Sequence, residues 1–375
     1  MSIYDELGIK KIINGLGTIT KIGGSKMAPE VLAAMNEAAG YYVDIITFHE
    51  KAGEKIAKML GCEGVCITAG AAAGIAISAA ACMTKGEIAK TLQLPDTTGM
   101  PSEVLVLKCH RTLYDQALLL SGAQVREIGA TSSAIIEQVE TAVSEKTAMF
   151  FYIAEAERMR GSIPLPEIAL ILKKHNIPIV VDAAAELPPK SNITKYLDQG
   201  ADLVIFSGGK EFRGPQSSGI ILGKKQLIRA CEANCCPNYS IGRSMKIDKE
   251  TIAGIVKAIE LFVKKDYTQE MERWESMVSQ MFSSFSTLYD IKVRRGFPVE
   301  PGIRPVDIPR VYIKPLHICS KEIQDSLMNL DPAIYVDVQR EEVAINPQCL
   351  EDDEVNVVID AVKRVLIEEK QKKDA

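Results

Sequence analysis

Lys210 follows an apolar run, Leu203-Val-Ile-Phe206, and a hinge, Ser207-Gly-Gly209, and a second apolar run, Gly219-Ile-Ile-Leu222, comes after it. An ammonium group at the end of a buried strand costs free energy unless chemistry uses it, and a common use is an imine with a carbonyl compound. Asp182 closes a separate apolar run, Ile177-Pro-Ile-Val-Val181. A carboxylate there either caps the Ala183-Ala-Ala turn or keeps a proton on the ring nitrogen of a bound heterocycle. Thr68-Ala-Gly-Ala-Ala-Ala-Gly74 joins a short apolar strand to a small-residue helix, so its backbone N–H groups suit an anion at the positive helix end. The same composition also serves plain tight packing. Ser207 adds a hydroxyl for such an anion. His110, after the run Val104–Cys109, reads either as a flat group over a ring that also assists proton transfer, or as a polar loop residue.

A lysine for an aldehyde, an anion for a pyridinium nitrogen, a phosphate anchor and a flat group are what pyridoxal 5'-phosphate asks of a protein. Lys210, Asp182 and His110 are therefore the catalytic candidates. Lys210, Asp182, Ser207, Ala69, Gly70, Ala71, Ala72 and His110 are the candidates for holding the cofactor. The glycine spacing matches neither a dinucleotide fingerprint nor a P-loop. No metal is expected: Cys62 and Cys66 run into an apolar strand, Cys235-Cys236 has no second ligand pair, and His49, His175 and His317 lack metal spacing.

These residues need a scaffold that brings strand ends together. From Val65 to Leu222, apolar runs alternate with helical patterns, which predicts an α/β unit with a mostly parallel sheet and helices on both faces. The seven expected strands are Val65–Thr68, Val104–Lys108, Gln124–Ile128, Ala148–Ile153, Ile179–Val181, Leu203–Phe206 and Gly219–Leu222. Beyond Asp248 come one or two long amphipathic helices, then four short strands and a terminal helix, which predict a smaller α+β domain. The division expected is an N-terminal segment at 1–49, packing on the large domain or a partner subunit, a large cofactor-binding domain at 50–247, and a linking helix with the small domain at 248–375. The tail from Glu368 reads as a frayed helix end.

Bulk properties exclude several classes. A formal net charge of -5 gives no basic surface for nucleic acid. The nine cysteines are scattered rather than framed as disulfides, and the start lacks a signal-peptide pattern, so a reducing cytoplasm is expected. Gly64 to Met83 has a membrane-span length, but it is rich in Ala and Gly and broken at Thr68-Ala-Gly70, so no membrane association is expected.

Asp182, Ser207-Gly-Gly-Lys210, Gly214-Pro-Gln-Ser-Ser-Gly219 and Ile241-Gly-Arg-Ser-Met-Lys-Ile-Asp-Lys249 resemble the selenocysteine synthase (SelA)-like branch of fold-type I pyridoxal phosphate enzymes, as does the opening Ile3 to Thr18. Within that branch the chain is most similar to the ammonia lyases of sugar-derived amino acid phosphates. The resemblance implies the fold-type I transferase fold, Lys210 as the imine lysine, Asp182 facing the pyridinium, and a homodimer or larger homo-oligomer. It also implies an arginine for the substrate carboxylate, for which Arg304 and Arg310 are candidates. Arg243 falls in a shared Arg-x-x-Lys/Arg-Val/Ile-x-Lys pattern, and Arg213 with Arg111 could meet a substrate phosphate. Two departures count against a selenium transferase: the chain is not expected to carry the extra amino-terminal domain of one, and the charge balance is acidic. Glu211-Phe-Arg213 is bulkier and more charged than the residues expected after the lysine.

The expected reaction is α-proton abstraction from a small hydroxylated amino acid, then β-elimination to a 2-oxo acid and ammonia. Racemisation, aldol cleavage and transfer to an L-seryl-tRNA(Sec)-like partner stay open, as does a noncatalytic binding subunit. The electron sink is common to all the catalytic exits.

Overall fold

The computed structural model describes residues 2–300 and 302–374. Ala375, in the tail expected to fray, lies outside them. Two compact units emerge, Lys26–Lys265 and Met1–Ser25 with Asp266–Ala375. In chain order the elements are α1 (Ile3–Glu6), β1 (Ile12–Asn14), α2 (Pro29–Ala39), α3 (Ile45–Leu60), β2 (Gly64–Thr68), α4 (Ala71–Thr84), α5 (Ile88–Gln93), β3 (Glu103–Leu107), α6 (Asp115–Leu120), β4 (Gln124–Ile128), α7 (Ile136–Ala142) and β5 (Thr147–Ile153). They continue with α8 (Leu165–Lys174), β6 (Ile179–Asp182), α9 (Asn192–Asp198), β7 (Leu203–Ser207), β8 (Gly219–Gly223), α10 (Lys225–Ala233), α11 (Lys249–Lys264) and α12 (Tyr267–Phe285). The last are β9 (Ile291–Gly296), β10 (Arg310–Pro315), α13 (Ser320–Met328), β11 (Ala333–Tyr335), β12 (Asp337–Gln339), β13 (Glu342–Ile345) and α14 (Glu354–Asp374).

The larger unit carries a seven-stranded sheet in the order β2-β8-β7-β6-β5-β3-β4. Only β8 runs antiparallel to its neighbours in this sheet. Every residue of β5 is buried, as are Val104 to Leu107 of β3. Successive strand residues point to opposite faces, so burial of both parities means both faces are covered. The edge strand β4 instead shows Gln124, Arg126 and Glu127 to solvent, a charged edge that discourages pairing with another chain. Helix α4 is buried from Ala73 to Thr84, and its alanines let it lie closely against the sheet. Its buried, all-round apolar surface explains the membrane-like composition. No helix among the described residues is long and apolar enough to cross a membrane.

The smaller unit holds the antiparallel sheet β12-β13-β10-β9 and a parallel pair, β1 with β11. Trp274, Met281, Phe285, Val311, Val343 and Val362 fill its core. The units are cut differently from the segments expected at 1–49, 50–247 and 248–375. Residues up to Ser25 join the smaller unit because Ile12–Asn14 pairs with Ala333–Tyr335, more than three hundred positions away. Helices α2, α3 and α11 join the larger unit because α2 and α3 both pack on α11 and α3 packs on β2. Local patterning carries no trace of either pairing. One of the four short strands expected beyond Asp248, at Ala333–Val338, divides at Val336, and its halves enter different sheets.

Helix α11 begins at Asp248, whose carboxylate accepts from the Thr251 N–H at 2.7 Å. Removing such a cap costs about 1 kcal/mol. Asp248→Ala is expected to lower the urea midpoint accordingly while Asp248→Asn stays near wild type; equal midpoints for all three proteins would refute the cap.

Candidate active site

Parallel pairing of β3, β5, β6 and β7, and the antiparallel β8 between β7 and β2, place the carboxyl ends of β2, β3, β5, β6 and β7 on one edge of the sheet, where open α/β folds bind ligands. Asp182 is the last residue of β6, level with Ile153 of β5 and Ile205 of β7. Its Oδ1 accepts from the Ala184 N–H at 3.0 Å, so part of the expected turn-capping role is real. Burial pushes its carboxyl up to about 6, against the pull of the Ala184 N–H and the Lys210 ammonium, while Glu155 and Glu186 add to the push. Lys210 is mostly buried in the turn after β7. Burial pulls its ammonium below the usual lysine range, while Asp182, Glu155 and Glu186 act the other way. Glu155 and Glu186 carry no signal in the sequence, although Glu155 follows a fully buried strand on this same edge.

The lysine turn is cross-braced. The Gly208 N–H donates to the Ser218 carbonyl at 2.8 Å, the Gly214 N–H to the Gly208 carbonyl at 2.9 Å, and the Arg213 N–H to the Lys210 carbonyl at 2.9 Å. Phe212 is buried edge-on between Phe206 and Phe262, with centroid separations of 6.3 and 4.8 Å. Buried Glu211 meets Lys265 at 3.4 Å. The bulk after the lysine thus anchors the turn from behind.

Thr68 of β2 and Ser207 of β7 are both in register with Gly219 of β8, so three strand ends lie side by side. A Cβ on Gly219 would come within 2.6 Å of the Gly70 carbonyl carbon and 2.8 Å of the Ala71 nitrogen. The turn into α4 therefore folds directly over this row. Gly70 caps α4 with φ +98, a conformation open to glycine, and provides no side chain to the first helical N–H groups. Backbone donors at a helix start, beside the Ser207 hydroxyl, form a cradle suited to a phosphate.

His110 is fully buried in the turn after β3. Its Nδ1 accepts from the Ile153 N–H at 3.0 Å, which leaves Nε2–H to donate to Ser162 Oγ at 2.9 Å. Its ring sits edge-on to Tyr152 at 4.5 Å, and burial pushes its pKa down to about 4. Both nitrogens are thus engaged and the ring is neutral. It ties the end of β3 to the end of β5.

The arginines divide. Arg111 is paired with Asp115 and Glu127. Arg213 follows the lysine turn with φ +53, uncommon for a non-glycine residue. Arg243 is exposed, with Nη1 3.9 Å from Cys236 Sγ. In the smaller unit, Arg304 Nη1 donates to the Ile303 carbonyl at 3.2 Å. Arg310 is buried beside Tyr312; its Nη2 donates to the Arg304 carbonyl at 3.3 Å, and its Nε has no hydrogen-bond partner among the described residues.

A mostly parallel seven-stranded sheet with a lysine, a carboxylate and a phosphate cradle on its carboxyl edge defines the fold of the fold-type I pyridoxal phosphate enzymes. The family model for L-seryl-tRNA selenium transferase, SelA, matches residues 12–286, and the chain belongs to that family. It is 32% identical over 373 residues to D-glucosaminate-6-phosphate ammonia lyase of Salmonella typhimurium, covering 97% of this chain and 98% of the relative. It is 31% identical over 290 residues to 5'-C-glycyluridine monooxygenase-decarboxylase of a Streptomyces species, covering 74% and 70%. A solved structure of D-glucosaminate-6-phosphate ammonia-lyase superposes with a TM-score of 0.86 at 30% identity, over 99% of each chain.

The raised Asp182 carboxyl makes a pH test available. Its ordinary value is 3.8 and its folded value about 6. Between these the folded chain keeps a proton that the unfolded chain has released, so this group's stabilising contribution falls as pH rises and stays lost above the folded value. A shift of about two pKa units corresponds to on the order of 3 kcal/mol. Without cofactor at pH 7, Asp182→Asn is expected to unfold at higher urea than wild type, with the gap closing toward pH 4. A gap that ignores pH would refute the burial argument.

Proposed function

We propose that this chain is a pyridoxal phosphate-dependent ammonia lyase acting on a small, hydroxylated, sugar-derived amino acid phosphate, with D-glucosaminate 6-phosphate as the first substrate to try. The observation that carries the reading is that Asp182 ends β6 and Lys210 follows the adjacent β7, on the sheet edge that also holds the Gly70–Ala72 and Ser207 cradle. The full-length likeness to the Salmonella ammonia lyase supports it.

The residues fit the cofactor. The α4 start from Ala69 to Ala72 and Ser207 would hold its phosphate, Asp182 its ring nitrogen and Lys210 its aldehyde. When bound, pyridoxal phosphate supplies a carbonyl for an amine and a ring that accepts the electron pair released at the substrate α-carbon. Asp182, disfavoured as an isolated anion by burial, gains from a cationic partner and so keeps that ring protonated. Lys210, with its ammonium destabilised by burial, has a neutral amine more available near pH 7; it takes the α-proton and can return one to the leaving hydroxyl. Loss of the hydroxyl from the β-carbon followed by hydrolysis gives a 2-oxo acid and ammonia. We assign His110 a positioning role: with both nitrogens engaged, it fixes the β3 and β5 ends instead of carrying the proton.

For the anionic ends of the substrate we assign Arg213 to the phosphate. Arg304 and Arg310 are both kept as candidates for the carboxylate. Arg243 is kept as an exposed substrate-binding candidate. The reading includes a cytoplasmic homodimer or larger homo-oligomer, whose order sedimentation equilibrium would give. The acidic net charge of -5 weighs against a tRNA substrate.

Reconstituted protein is expected to release ammonia and a 2-oxo acid in equal amounts from D-glucosaminate 6-phosphate, and Lys210→Ala to lose at least about a thousandfold in kcat. Exchange of the α-proton with solvent deuterium but no ammonia, across D- and L-hydroxyamino acids and their phosphates, would replace the lyase by a racemase.

A further inference from the structure

Away from this edge, the larger unit assembles a second set of reactive side chains. His49 of α3, Cys66 of β2 and Cys235, just past the end of α10, are all buried. A ring nitrogen of His49 and the two sulfurs lie within 4.8 Å of one another, and the sulfurs are 3.4 Å apart. Sequence spacing offered no metal set because these three residues belong to three separate elements. The fold brings them together where α3 covers the outer edge of the sheet. There the His49 Nε2–H donates to the Ile67 carbonyl at 2.7 Å, which satisfies an edge acceptor, orients the ring and leaves the lone pair on Nδ1.

We propose that His49, Cys66 and Cys235 bind a thiophilic metal ion, Zn²⁺ by preference, independently of the cofactor site. Two sulfurs at about 2.3 Å from one tetrahedral zinc stand roughly 3.8 Å apart, so the pair at 3.4 Å needs only a small adjustment. A disulfide requires about 2.05 Å and a much larger movement. Two thiolates and a neutral imidazole around Zn²⁺ form a site of zero net charge, which suits burial better than a lone ion. Binding releases two thiol protons to solvent, and no electrons move. His49 and Cys235 line a cavity of about 830 Å³ that also presents Glu50, Glu54 and Glu232, giving a cation a route in and a water for the fourth position. The ion would tie α3, β2 and the α10 end together.

The test uses full-length protein stripped with EDTA and given zinc chloride alone. One zinc per chain is expected by elemental analysis after desalting. Cobalt chloride in its place should produce a sulfur-to-cobalt charge-transfer band in the near ultraviolet with tetrahedral d–d bands in the visible. Cys66→Ser, Cys235→Ser and His49→Ala should each retain less than about a tenth of the zinc, whereas Cys319→Ser, an exposed cysteine of the other unit, should keep all of it. Absence of the thiolate–cobalt band in wild-type protein overturns the proposal even if the variants fail to fold. So does unchanged zinc content in folded Cys235→Ser, or a Cys66–Cys235 disulfide in protein isolated without reductant.

Discussion

The arrangement depends on two opposite charges held out of water at the edge of one sheet. Burial disfavours both the Asp182 carboxylate and the Lys210 ammonium, and each is partly rescued by the other's field. Such a pair is poor value as a stabilising element, because desolvation offsets most of the attraction. It is well suited to a ligand that brings its own charge and carbonyl. The strand pairing β5-β6-β7 sets where Asp182 emerges, and the braces from Ser218, Gly214 and the Phe206–Phe212–Phe262 stack set where the lysine turn goes.

Two places on the same sheet use it in different ways. At the carboxyl edge, the close approach of Gly219 to the Gly70–Ala71 turn exposes backbone donors to an anion. At the lateral edge, His49 of α3 meets Cys66 of β2 and Cys235 beyond α10, the group to which we assign a cation. In both cases a small displacement of backbone would spoil the site, since the donors are close-packed groups and not long flexible side chains.

His110 and Arg111 illustrate how far residue type carries. A histidine and an arginine after an apolar strand read as a ring cover and a phosphate ligand. Packing gives the histidine two hydrogen bonds in the plane of its ring, which engage its nitrogens but not its faces, and it gives the arginine two carboxylates. Sequence marks the edge on which a polar residue emerges, but not which neighbour reaches it first. The bulky Glu211 and Phe212 show the converse: they looked out of place beside a catalytic lysine, and they are its rear support.

The amino-acid sequence alone determined the strands of the large sheet, the lysine, carboxylate and Ala/Gly turn at their ends, and the family, because these are short-range signals: continuous apolar runs, glycine punctuation and a residue type that burial makes costly. Tertiary structure decided the rest. Pairing of Ile12–Asn14 with Ala333–Tyr335, the grouping of α2, α3 and α11, and the meeting of His49, Cys66 and Cys235 each join residues far apart in the chain. Such contacts form only when many weak burial terms are satisfied together, and no local pattern of one chain records which distant partner satisfies them.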